Sequence, residues 1–269
     1  MDTIIRGPYD FSHWNEIPSI SACCITYGRP DLLEEAIECF LRQDYPGQTD
    51  MVILNDHEEI KIEWPDAPDN IQIINLDERV PTIGEKRNMS VDLSKGQLCC
   101  PWDDDDLCLP WRFAVSVQEM KNHHYYKPKR SWYWGVLGHC EAVHSKIYLK
   151  PKGNIFHSQG IWSREAYEVI GKYKPEQSGQ DITFEKDIRK HGYRDWHSLK
   201  LKDLYYVYRY GKTGSFHLSQ WGKDRGYDEA PIWIKRYSKV KPGTYKLNPH
   251  WDDNYVEWID KNIYDILNK

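Results

Sequence analysis

The chain has 269 residues, 40% hydrophobic and 29% charged, enough to bury a sizeable core in one large or two small domains. This balance excludes a disordered chain, and no apolar run approaches the length of a membrane span. The net charge of -5 hides an asymmetry: residues 1–120 carry 9 Lys/Arg against 24 Asp/Glu, and residues 121–269 carry 27 against 17. Such a division fits two solvated surfaces of opposite sign, or a cation-binding half joined to a half that meets an anionic partner. The 7 cysteines form no C-x-x-C pair and fall mostly in apolar runs, and Met1-Asp2-Thr3 opens no signal peptide. A reduced, cytoplasmic chain with buried thiols is the expectation.

Residues 1–18 read as an irregular arm. Ile20 to Thr26 is a short buried strand, rich in apolar and β-branched residues. Tyr27-Gly28-Arg29-Pro30 turns the chain, and Pro30 opens a helix in which Leu32, Ala36 and Phe40 share a face with Leu33, Ile37 and Leu41. Glu34, Glu35 and Glu38 take the other face, and the helix stops near Tyr45-Pro46-Gly47. Met51 to Leu54 is the second strand and ends at Asn55-Asp56; after a proline-containing loop, Ile71 to Leu76 is the third. Gly84 to Leu93 reads as a helix and Gln97 to Trp102 as the fourth strand. Strand–helix alternation predicts a mostly parallel sheet, whose ligands bind at the carboxyl ends of its strands. Thr26, Asp56 and Asp103 all fall at such ends.

Beyond Pro110 a helix is expected to about Asn122, followed by a basic, aromatic stretch from Tyr125 to Trp134. His139 to Leu149 and Leu204 to Tyr210 read as strands. Ser163 to Ile170, with Ser163 as its cap, Asp181 to His191 and Asp253 to Leu267 read as helices, and 229–243 as a basic connector. No internal repeat is present.

The most informative stretch is Asp103-Asp104-Asp105-Asp106, set between the apolar runs Leu98–Trp102 and Leu107–Trp111. Acidic runs are commonly solvated turns, but four carboxylates between two buried segments call for a counter-ion. Hard divalent cations, Mg²⁺ or Mn²⁺, take carboxylate oxygens and bridge to substrate phosphates. The 12 Trp and 19 Tyr against 6 Phe fit a core, and also the stacking of sugars or bases.

With these elements placed, the chain resembles the family 2 glycosyltransferases of the GT-A fold. The resemblance covers roughly residues 18–220 and rests on the order of its pieces. These are Thr26-Tyr27-Gly28-Arg29-Pro30, the helix Ala36 to Pro46, Leu54-Asn55-Asp56, Gly84-Glu85-Lys86-Arg87-Asn88 and Asp103 to Asp106 with Pro110 and Arg112. Trp162-Ser163-Arg164-Glu165-Ala166 with Gly171 and Gly179-Gln180-Asp181 follow. Two departures stand out: His57-Glu58-Glu59 replaces a small-residue pattern, and Gln180-Asp181 replaces an acidic pair.

The resemblance implies an α/β, Rossmann-like GT-A sheet flanked by helices, with a C-terminal acceptor-side extension. Residues 1–18 would be an arm, 19–220 the catalytic domain (19–120 the nucleotide-sugar half, 121–220 the acceptor half) and 221–269 the extension. It implies a metal-dependent, inverting transfer of a sugar from a UDP- or TDP-type donor. Asp103 and Asp105 form a D-x-D motif, with Asp105 on the metal and Asp103 or Asp104 on metal or ribose. Asp56 would accept the imino N–H of uracil or thymine in a pocket lined by Thr26 and Tyr27. Arg29 and Arg87 would sit at the nucleotide, and Asp181 would be the general base. His217 is a further metal or diphosphate candidate, and Trp162 and Trp221 could stack on the acceptor.

Each residue also has an ordinary structural reading: Asp56 as a turn former, Arg87 as a surface arginine, Asp181 as a helix cap, His217 and the tryptophans as packing residues. Lys127, Lys129 and Arg130 among aromatics suit an anionic acceptor, either a glycan precursor or hydroxylated bases in DNA as in phage-type DNA glycosylation. A nucleotidyltransferase is disfavoured because Tyr27 to Pro30 is not a lysine-bearing, glycine-rich loop. A non-catalytic nucleotide-sugar binding module is the remaining alternative.

Overall fold

A computed structural model describes residues 4, 6–7, 9–136, 145–149, 156–191, 199–210, 240–250 and 254–268. The near-continuous apolar runs of the first half become strands, buried on both faces at the centre of the sheet and half-buried at the edge formed by Ile71–Asn75. They are β1 (Ile20–Thr26), β2 (Thr49–Asn55), β4 (Ile71–Asn75) and β5 (Leu98–Asp103), with β3 (Ile60–Glu63) set apart from them. Together with β7 (Tyr125–Tyr126) and β10 (Ile161–Ser163) they form a six-stranded sheet of order β4-β2-β1-β5-β10-β7. β4, β2, β1 and β5 are parallel, while β10 runs antiparallel to β5 and to β7. The chain moves outward from β1 to β2 and β4, then returns to the other side of β1 as β5. The strand order therefore switches between β1 and β5, where Ile25 lies opposite Asp103. A doubly wound sheet opens its ligand crevice at this point.

Helix α1 (Pro30–Leu41) begins at Pro30 and buries Leu32, Leu33, Ala36, Ile37 and Phe40. The Trp102 indole of β5 donates to the Ala36 carbonyl at 3.0 Å, locking α1 to the sheet. α2 (Ile83–Leu93) is capped by Thr82, whose hydroxyl accepts from the Glu85 N–H. α3 (Arg112–Met120) is shorter than the sequence predicts, ending where Lys121 takes a positive φ of 51°. α4 (Arg164–Ile170) has Ser163 as its cap, as expected, and α5 spans Gln180–Lys190.

A second sheet, of order β6-β11-β8-β9, joins β6 (Leu107–Cys108), β8 (Trp132–Val136), β9 (Ser145–Leu149) and β11 (Tyr206–Tyr210). It is built against the acidic turn, because β6 follows Asp106 directly and pairs with β11. β12 (Gly243–Lys246) pairs in parallel with β3. Local pattern did not reveal β3, β7 or β10, which have two to four residues and gain their strand character from partners far along the chain. The closing helix α6 (Tyr255–Leu267) buries Tyr255, Ile259 and Ile263, and the Tyr255 hydroxyl donates to the Cys108 carbonyl at 3.1 Å. All six described cysteines are buried and free. No helix among the described residues is long and apolar enough to cross a membrane.

Candidate active site

A cleft of about 780 Å³ opens at the β1/β5 switch. Thr26, Tyr27 and Arg29 reach it from the end of β1, Asp56 from the end of β2, and Asp103, Asp104 and Asp105 from the end of β5. Arg87 enters from α2 and Asp181 from α5. Nine of the residues singled out in the sequence therefore line one cavity, although they span more than half of the chain.

The β1 turn depends on Gly28. Its φ of +61° is one that side chains rarely adopt, and a Cβ there would lie 2.6 Å from the His57 ring. The turn aims Arg29 into the aspartates. Its Nε lies 3.0 Å from Asp104, its Nη2 also bonds Asp104, and its Nη1 lies 3.0 Å from Asp105. Asp103 accepts from the Ser158 hydroxyl and lies 3.4 Å from Arg87 Nη2. Asp106 accepts from the Tyr206 hydroxyl and, at 2.7 Å, from the Arg209 N–H. Arg209 also bonds the Asp105 carbonyl and pairs with Glu35 of α1, both at 2.5 Å. The acidic turn is thus gripped by both sheets and by α1, not solvated: Asp104, Asp105 and Asp106 are 1%, 5% and 1% exposed.

Burial raises the Asp104 carboxyl to about 6, against the opposing charge of Arg29. Burial, followed by the charges of Asp105 and Asp103, pushes Asp106 well above the ordinary carboxylate range. One oxygen from each of Asp103, Asp105 and Asp106 lies within 4.8 Å of the others. This all-carboxylate donor set suits Mg²⁺ or Mn²⁺ and not a softer ion. The sequence reading stopped at Asp105 because a D-x-D motif ends there; the fourth aspartate was visible, and its orientation was not. Asp104 points instead at Arg29. His217 and Trp221 lie outside the described residues.

At the other end of the cleft, Asp56 is 3% exposed. It is ion-paired to Lys86 of α2 and accepts from the Val80 N–H at 3.1 Å. The Lys86 ammonium also donates to the Thr26 carbonyl at 2.5 Å. The Tyr27 ring packs on His57 with centroids 4.5 Å apart, and Arg79 lies 4.6 Å from the Tyr27 centroid. Lys86 and Arg79 were not singled out in the sequence, since a lysine or arginine in a polar segment carries no signal of its own. Arg87 is no surface arginine: its side chain is 12% exposed and faces Asp103.

Asp181 sits in the first turn of α5, and the cap is Gly179, at φ 79°, not Asp181 itself. Its carboxylate accepts no hydrogen bond among the described residues, and it lines the cleft.

Two expectations are corrected. Trp162 is 0% exposed and packs with His157, Tyr173 and Phe184, so it has no face open to an acceptor. Lys127 is no acceptor-binding cation either, because it is buried and paired to Glu185 of α5. Glu185 also meets His157 Nδ1 at 3.1 Å, and His157 Nε2 meets the Tyr173 hydroxyl at 2.7 Å. A carboxylate only accepts, so Nδ1 carries the proton and Tyr173 donates to Nε2. Burial holds His157 below its usual range, which favours this neutral form.

The sequence matches the family described as Glycosyl transferase family 2 over residues 21–170. A comparison with curated proteins gives no match. Among solved structures, S. aureus TarS 1–349 aligns with a TM-score of 0.48 at 15% identity, over 74% of this chain and 61% of that one. TarS 1–349 in complex with UDP gives 0.48 at 16%, over 74% and 62%. A Pyrobaculum calidifontis mannosyltransferase, PcManGT, in complex with GDP-Man and Mn²⁺ gives 0.48 at 14%, over 73% and 57%. The chain spans less than two thirds of each of these solved chains. The family match covers more than half of the sequence and takes in the strand ends that carry the acidic turn, so the chain belongs to glycosyl transferase family 2 and has its GT-A α/β fold.

Proposed function

We propose that the protein is an inverting glycosyltransferase that moves a sugar from a UDP- or TDP-type donor to a hydroxyl of an anionic acceptor, with Mn²⁺ or Mg²⁺ as cofactor. The observation that carries this reading is the meeting, at one cleft, of an all-oxygen aspartate cluster, a buried Asp56 and an Asp181 whose carboxylate accepts no hydrogen bond among the described residues. Asp103, Asp105 and Asp106 would hold the cation. When bound, it offsets the charge that develops on a leaving diphosphate. Asp56, with Thr26 and Tyr27, would hold the nucleobase; Arg29 and Arg87 supply fixed positive charge near the phosphates.

Asp181 would take the proton of the acceptor hydroxyl. The acceptor oxygen forms its bond to the anomeric carbon from the far face, while the bond to the diphosphate oxygen breaks and its electron pair leaves with the diphosphate. The acceptor class rests on the basic second half of the chain, now without Lys127. An anionic glycan and hydroxymethylated DNA both meet that description. Incubation with UDP-sugars and TDP-sugars, Mn²⁺ and each acceptor class tests the reading. Sugar transfer that Asp181→Asn lowers by about 10²- to 10⁴-fold supports it. Transfer undiminished in Asp181→Asn would remove the base assignment.

A further inference from the structure

The three carboxylates that converge are held in different ways. Asp106 accepts through both oxygens, from the Tyr206 hydroxyl and from the Arg209 N–H. Asp105 faces Arg29. Asp103 accepts from the Ser158 hydroxyl through Oδ2, while its Oδ1 lies 3.4 Å from Arg87 Nη2, long for a hydrogen bond. A hydroxyl orients a carboxylate without neutralising it, whereas a guanidinium competes with a cation for the same charge. Ser158 is 4% exposed and stands in the middle of a short 3₁₀ turn, His157–Gln159, just before β10.

Every residue of that turn is anchored. The His157 ring is fixed between Glu185 and Tyr173, and the Gln159 carbonyl accepts from the Tyr205 hydroxyl at 2.8 Å. The Ser158 carbonyl accepts from Arg112 Nη2 at 2.6 Å, and the same nitrogen donates to the Pro101 carbonyl of β5 at 2.8 Å. Arg112 Nη1 meets Cys108 Sγ of β6 at 2.7 Å. Arg112 is 1% exposed, its partners are two carbonyls and a thiol, and among the described residues no carboxylate pairs with it. Burying a cation without a counter-charge costs free energy. Here the guanidinium ties together the strand that enters the acidic turn, the strand that leaves it and the turn that carries Ser158. What the scaffold fixes is one hydroxyl against one carboxylate.

We infer that Ser158 is a positioning residue of the metal site, holding Asp103 so that it presents a single oxygen to the cation. The inference rests on the metal-binding reading above. Mg²⁺ demands a near-ideal octahedron of oxygens, and Mn²⁺ suits the same arrangement. Ca²⁺ accepts one or two oxygens from each carboxylate in a larger, flexible shell. With one oxygen held by Ser158, Asp103 is a one-oxygen ligand and the site selects the smaller cations. Without the hydroxyl, Asp103 turns and offers both oxygens, which Ca²⁺ uses and Mg²⁺ does not.

The test is a set of thermal melts of the full chain, with and without a fixed concentration of UDP, as Mg²⁺, Mn²⁺ or Ca²⁺ is raised. The readout is the cation concentration that gives half of the full stabilisation. In Ser158→Ala it should rise about 10- to 100-fold for Mg²⁺ and Mn²⁺ and stay within about threefold for Ca²⁺. Ser158→Thr, which keeps a hydroxyl, should restore part of the preference. A purely structural Ser158 would lower the melting temperature of the cation-free protein and leave the three half-points in their parental ratio. That result overturns the inference, as does an equal loss for all three cations. If Ser158→Ala does not fold, Ser158→Thr and the parent carry the test. Both should reach half-stabilisation at an Mn²⁺ concentration at least about tenfold below that of Ca²⁺, and equal half-points in the parent overturn the inference. A parent that no cation stabilises, with or without UDP, would instead sink the metal-site reading, and the inference with it.

Discussion

At the residue scale the acidic run shows how a charge pattern is converted into a site. Asp103 to Asp106 are adjacent in sequence, yet they meet three separate sets of partners: Asp103 meets Ser158 and Arg87, Asp104 and Asp105 share Arg29, and Asp106 meets Tyr206 and the Arg209 N–H. The turn between β5 and β6 divides the four side chains, leaving Asp103, Asp105 and Asp106 to share a small volume. The sequence showed that these carboxylates lie at a strand end, because the flanking apolar runs are unambiguous. It did not show which three converge, since that depends on turn geometry and on β11, a hundred residues away. Asp56 and Asp181 were legible for the same reason as Asp103: both lie where a strand or helix boundary is clear. Lys86 and Ser158 were not, because only tertiary contact gives either one a role. Asp181 accepts no hydrogen bond among the described residues, so Asp181→Asn removes only the proton acceptor. Its nucleotide affinity should stay within about twofold of the parent while transfer collapses. A nucleotide affinity that fell in parallel with transfer would make Asp181 a donor contact instead.

At the scale of elements, α5 carries both Asp181 and, one turn on, Glu185. Glu185 is tied to Lys127 and His157, and the neighbour of His157, Ser158, holds Asp103. Two hydrogen bonds, Glu185 to His157 and Ser158 to Asp103, joined by the His157–Ser158 peptide bond, therefore link the helix bearing the proposed base to the strand bearing the proposed metal ligands. Removing one member of a buried ion pair leaves the other charged and unsolvated. Glu185→Ala should lower unfolding stability by about 3–5 kcal/mol, read from denaturant titrations. A loss below about 1 kcal/mol would mean that water replaces the carboxylate. The helices and long strands were readable from periodicity, because each buries a face set by its own sequence. β3, β7 and β10 were not, because so few residues carry too little pattern and their pairing comes from the assembled sheet.

For the whole molecule, the same buried network sets the acid limit of stability. Burial opposes ionisation of Glu185, but the His157 hydrogen bond and the Lys127 charge outweigh it and hold the carboxyl at about 2, against 4.5 unperturbed. A depressed carboxyl contributes stability that is complete above its unfolded value and is lost as pH falls from about 4.5 towards about 2. His157, lowered by burial, acts in the same direction and begins below its ordinary 6.5, because the unfolded chain takes up the proton first. The Glu185 and His157 contributions should therefore be lost progressively below pH 6.5, opposed by Asp104 and Asp106, whose raised carboxyls take up protons first in the folded chain, and Glu185→Gln should flatten the part of the curve between pH 4.5 and 2. An unchanged curve in Glu185→Gln would place the acid sensitivity elsewhere. The charge division read from composition also has a structural counterpart in its first half, where the excess carboxylates include the buried cluster. In the second half, part of the positive charge is internal, held by Glu185 and Glu35 and not presented to a partner.

The most direct test of the site as a whole is the thermal melt of the protein with UDP, TDP, GDP and CDP, each with and without Mn²⁺, in the parent and in Asp105→Ala. Ligand that binds only the folded state raises the melting temperature by mass action. The expected result is a stabilisation by one class of nucleotide that requires Mn²⁺ in the parent and disappears in Asp105→Ala. Nucleotide stabilisation of equal size without metal, or one that survives in Asp105→Ala, would contradict the assignment of the aspartate turn as a metal site for a nucleotide-sugar diphosphate.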